Sequence, residues 1–72
     1  MLRKNLDDLI HIGAAGGGFT IEAGTFPSDD LVRIAAAVAG TGAEVVIHGM
    51  TGRPTEDLVR IAGAGRGAVR FD

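Results

Sequence analysis

The segment Asp29-Asp30-Leu31-Val32-Arg33-Ile34-Ala35 recurs 27 residues later as Glu56-Asp57-Leu58-Val59-Arg60-Ile61-Ala62. A weaker copy, Asp7-Asp8-Leu9-Ile10-His11-Ile12-Gly13, stands 22 residues before the middle one. Each copy is followed by small residues, a glycine cluster and a short alternating apolar run. The runs are Phe19-Thr20-Ile21-Glu22, Glu44-Val45-Val46-Ile47-His48 and Ala68-Val69-Arg70-Phe71. Such repetition constrains the fold strongly, because a unit too small to bury its own apolar face must bury it against its neighbours. Three units, at about 4–24, 25–50 and 51–72, fill the chain as a single domain.

Each unit predicts a helix and then a strand. Ser28 and Thr55 stand where a helix N-cap belongs, each just after a proline, and their hydroxyls suit the unpaired N–H groups of a first turn. Asn5, three residues before Asp8, resembles half of a capping box. The acidic pairs then fall in the first turn, where the helix dipole favours negative charge. Leu31, Ile34, Ala35 and Val38 follow the i, i+3, i+4, i+7 stripe of a buried helix face, and Leu58, Ile61 and Ala62 follow the same spacing, as do Leu9 and Ile12. Asp7 and His11, Asp29 and Arg33, and Glu56 and Arg60 are spaced for exposed i, i+4 pairs. Gly16 to Gly18, Gly40 to Gly42 and Gly63 to Gly67 end the helices.

The strands alternate with period two. Phe19, Ile21, Val45, Ile47, Val69 and Phe71 take one face, and Thr20, Glu22, Val46, His48, Ala68 and Arg70 take the other. Strand, helix and strand joined by short loops make parallel pairing the expectation. The predicted fold is α/β: a three-repeat α-β solenoid-like, two-layer domain, with a three-stranded parallel sheet of order 1-2-3 and three helices on one face. In-register stacking would align Glu22, His48 and Arg70 in one row, with Thr20, Val46 and Ala68 in the next. Thr20, Glu22, Val46, His48 and Arg70 are the candidate interaction face.

Composition sets limits. Gly and Ala supply 12 and 11 of the 72 residues, and a chain this short buries only about 60% of its unfolded surface. No cysteine is available for a disulfide or a thiolate metal site. The net charge of −2 gives no basic footprint for nucleic acid, and no apolar run approaches the roughly 20 residues of a membrane span. Met1 to Asn5 is basic but leads into Asp7 and Asp8 instead of an apolar stretch, unlike a signal peptide. A cytoplasmic location is therefore expected.

No motif brings a cofactor or a metal. The glycine clusters lie between a helix and the next strand, whereas a phosphate loop lies between a strand and the next helix. The acidic pairs are accounted for by capping and ion pairing. Glu22, His48 and Arg70 lack a nucleophile and an enclosing loop. Phe26 and Met50 lie in the loops after the first two strands; exposed, they would be partner-binding anchors, and Phe26 is expected instead to pack on the helix it precedes as a hydrophobic staple. The leucine-rich-repeat strand signature is absent, with Asn5 the only asparagine, so the unit is assigned to no repeat family.

A small core, an uncovered sheet face and open strand edges together point to a homo-oligomer, a dimer or higher. The expected function is a non-enzymatic structural or protein-interaction module that self-associates through those surfaces. The alternative is a small-ligand or peptide-binding protein using the loops Ala23 to Ser28 and Gly49 to Thr55, or the polar sheet face.

Overall fold

A computed structural model describes residues 5–72; the basic start of the chain, residues 1–4, lies outside the described residues. The element order is α1 (Leu6–Ala14), β1 (Phe19–Glu22), a short 3-10 turn (Ala23–Thr25), α2 (Ser28–Val38), β2 (Val45–His48), α3 (Thr55–Gly65) and β3 (Val69–Phe71). The strands form one parallel sheet of order β1-β2-β3, and helices and sheet make a two-layer α/β arrangement. Helix α2 contacts both α1 and α3. No helix among the described residues is long and apolar enough to cross a membrane.

The core follows the two periodicities. Leu31, Ile34, Ala35 and Val38 of α2 are buried, and they meet Leu9 of α1, Ile61 of α3, Ile21 of β1 and Val45 and Ile47 of β2 in one cluster. On α3 the buried stripe differs from the expected one. Ala62 is exposed and Gly65 is buried. The reason is close packing: a Cβ at Gly65 would stand 2.5 Å from Val69 Cγ2 and 3.5 Å from the Cβ of Ala35. Gly13 of α1 has the same role, since a Cβ there would stand 2.5 Å from Val38 Cγ1. Glycines on the outer helices thus let α1 and α3 approach their neighbours.

Helices α2 and α3 start one residue earlier than the capping pattern predicts. Pro27 and Pro54 are the extended N-cap residues, and Ser28 and Thr55 are already helical. The Pro27 carbonyl accepts from the backbone N–H groups of Asp30 and Leu31. The Ser28 hydroxyl is thereby left for other partners. Only Asn5 caps as expected, its Oδ1 accepting from the Asp8 N–H at 2.9 Å. The helix ends follow the glycines at Gly16 and Gly40, both with positive φ. Helix α3 instead runs through Gly63 to Gly65 and stops at Arg66, which itself adopts the left-handed conformation.

Candidate interaction surface

The sheet face turned away from the helices carries Thr20, Glu22, Val46 and His48, all half-buried, and Arg70, which is exposed. The rows differ from the in-register expectation. Phe19 pairs with Val45 and Val45 with Val69, so Thr20, Val46 and Arg70 form one row. Glu22 pairs with His48, and beyond β3 the Asp72 N–H donates to the Ile47 carbonyl at 2.9 Å. The second row is therefore Glu22, His48 and Asp72, not Glu22, His48 and Arg70. Ala68 is likewise no neighbour of Val46: its carbonyl accepts from the Val45 N–H at 2.8 Å, one step earlier.

This shift changes the chemistry. His48 Nδ1 lies 2.9 Å from the Asp72 carboxylate, a residue the sequence pattern did not bring forward. Arg70 turns instead to Glu44, at 3.5 Å. The Arg70–Glu44 pair is largely solvated, and such pairs contribute little stability. The imidazole thus meets one carboxylate, and no nucleophile stands beside it on this face among the described residues.

The loops after the strands are occupied internally. Met50 is buried and Phe26 is half-buried against the core. Arg53 reaches back across the preceding loop, donating to the carbonyls of Ala23 and Phe26 and, at 2.8 Å, to the Ser28 hydroxyl. That hydroxyl in turn donates to Asp57 at 2.9 Å. With one guanidinium nitrogen on both carbonyls and the other on the hydroxyl, Arg53 ties the two strand-to-helix loops together, which leaves it little freedom to meet a ligand. A surface depression of about 400 Å³ lies on the other side, among the helix-to-strand loops, lined by Gly40, Gly42, Glu44, Arg66 and Gly67.

The helical ion pairs are also redistributed. Arg60 bonds Asp29 of α2 at 3.0 Å, bridging helices rather than bonding Glu56 one turn back. Neither Glu56 nor Arg66 has an ion-pair or hydrogen-bonding partner for its side chain among the described residues. The large apolar side chains exposed among the described residues are Val59 on α3 and Phe71 on β3, at 64% and 38%. Both sit at the same end of the molecule, where β3 is the edge strand. Sequence patterning assigned Val59 no role and placed Phe71 in the core. Its periodicity is correct, but an edge strand has a neighbour on one side only.

Comparison with protein-family models, with curated proteins and with solved structures gives no match.

Proposed function

We propose that the chain is a non-enzymatic, cytoplasmic structural or protein-interaction module: a short α-β solenoid of three units that associates with copies of itself through its open sheet edges or its uncovered sheet face. What supports this is the unequal exposure of equivalent positions. Ile10 and Val32, at one place in the first two aligned segments, are partly buried against the core, whereas Val59 in the third is exposed. Gly13 and Ala35 are buried, whereas their counterpart Ala62 is exposed. Across the strands Ile21 and Ile47 are 1% and 0% exposed, while Phe71 is 38% exposed. In a stack of like units each unit covers the exposed side of the one before it. The last unit then displays what the earlier ones conceal, and association would cover it.

The energetics favour the same reading. A chain of this size is marginal on its own core, and each Å² of apolar surface removed from water contributes about 25 cal/mol. The second reading, a small ligand or peptide, is favoured by the depression beside Arg66 and by the edge strand β3, to which a peptide can add. Light scattering over a dilution series separates the two. A mass of twice 7.3 kDa or more, falling on dilution, is the expected result. A 7.3 kDa particle at every concentration overturns self-association and moves the assignment to the ligand reading.

A further inference from the structure

Resting on the self-association reading, we infer that the second copy docks on the α3/β3 end of the molecule about a two-fold axis, helix α3 antiparallel to helix α3 and strand β3 beside strand β3.

The outer face of α3 carries Glu56, Val59, Ala62, Gly63 and Arg66, all exposed. Their spacing of three and four residues puts them in one stripe. The stripe is apolar and small in the middle, acidic at its first turn and basic just past its last. Antiparallel pairing of two such stripes sets Glu56 of each copy against Arg66 of the other, twice. Parallel pairing would set like charge against like. Val59 then meets the small residues Ala62 and Gly63 of the second copy. The same size exchange already operates within the chain, where Gly13 receives Val38 and Gly65 approaches Ala35. On the sheet side the axis brings Phe71 beside its own counterpart, and two edge strands become one continuous antiparallel pair.

Head-to-tail stacking is disfavoured by the other end of the molecule. Val38 and Gly65 are the positions through which α2 and α3 meet the helix before them. In the first unit that position is Gly16, which lies beyond the end of α1 at Ala14 and has a φ of +94°. Leu9 and Ile21 are already covered at that end. Among the described residues the exposed large apolar side chains thus sit on one end only, and a surface that must match itself calls for an isologous contact.

The test uses the intact chain and sedimentation equilibrium over a dilution series, with circular dichroism to confirm folding. Val59→Glu, Glu56→Arg and Arg66→Glu are each expected to raise the dimer dissociation constant by about tenfold or more, because each puts charge on apolar contact or like charge opposite like charge. The double variant Glu56→Arg/Arg66→Glu is expected to restore the dimer. Val46→Glu, on the sheet face, is expected to leave it intact. Ala62→Cys, near the axis in a chain without cysteine, is expected to form a disulfide-linked dimer on mild oxidation. A wild-type chain that is monomeric throughout overturns this inference together with the self-association reading. A wild-type dimer that ignores the α3 variants but dissociates in Val46→Glu keeps self-association and overturns this interface. A ladder of growing species, with Ala62→Cys failing to cross-link, overturns the two-fold arrangement.

Discussion

Gly13, Gly63 and Gly65 all lie in helices, yet each meets a different environment. An added Cβ at Gly13 would stand 2.5 Å from Val38 Cγ1, and one at Gly65 would stand 2.5 Å from Val69 Cγ2; at Gly63 it would meet nothing within 4 Å. Valine is stiff at χ1 and gives way poorly. Overpacking of this kind costs about 1–3 kcal/mol, which exceeds the roughly 1 kcal/mol that alanine gains over glycine in a helix. Gly13→Ala is therefore expected to destabilise the fold by up to about 2 kcal/mol, and Gly63→Ala to stabilise it by about 0.5–1 kcal/mol. Urea unfolding of the two variants checks the pair, and equal effects of one sign would show that the close approach to Val38 is not limiting. Arg53 provides a second residue-scale test. Removing its guanidinium leaves the Phe26 carbonyl and the Ser28 hydroxyl oxygen without this donor, and leaves the Ala23 carbonyl only the Phe26 N–H. Arg53→Met should cost about 2 kcal/mol, and Arg53→Lys should recover only part of it, since one nitrogen, Nη2, serves both carbonyls and an ammonium has no second nitrogen to reach the Ser28 hydroxyl as Nη1 does. Full recovery by lysine would mean that charge, not geometry, holds the loops.

At the scale of elements, Ser28 and Thr55 occupy equivalent first-turn positions but carry different loads. Ser28 joins Arg53 and Asp57, while the Thr55 hydroxyl makes no helix-capping bond. Ser28→Ala should therefore cost about 1 kcal/mol and Thr55→Ala less than about 0.5, measured as shifts in urea midpoint. Equal costs would return both residues to a common capping role. The same elements show how far sequence patterning reaches. The helices, the strands and most of the core followed from the two periodicities, because burial enforces them, and the parallel order followed from the short strand–helix–strand connections. The row of Glu22, His48 and Arg70 did not. A one-residue slip between strands throws every apolar side chain onto the wrong face, but a two-residue slip leaves the alternation intact. Val45 and Val69 face the core in either register, so the pattern could not distinguish Arg70 from Asp72 as the neighbour of His48. Ser28 and Arg60 were misassigned for a related reason. Their partners, Arg53, Asp57 and Asp29, come from other units, and local spacing carries no information about them.

At the scale of the whole molecule, the solenoid proposal makes a claim about growth. Paired strand residues recur at a spacing of 24 from Val45 to Val69, so a further copy of residues 49–72 joined directly after Asp72 continues the register. In that chain the added counterpart of Gly65 would approach Ala62 as Gly65 now approaches Ala35. The added counterpart of Arg60 would reach Glu56 as Arg60 now reaches Asp29, and that of Asp57 would meet Thr55 as Asp57 now meets Ser28. Val59 and Phe71 would be covered. Stability in such arrays is approximately a sum of unit and nearest-neighbour interface contributions. The added unit brings one further interface, so the lengthened chain should melt at a higher temperature in a single transition. Its urea m-value should rise by about a third, in line with the added surface. The comparison is made at concentrations low enough to hold both chains monomeric, since association also raises the midpoint. An unchanged melting temperature, with the added residues unprotected in hydrogen exchange, would mean that the α3/β3 end does not accept a like unit. The recurrence in the sequence would then record ancestry and not a stacking geometry.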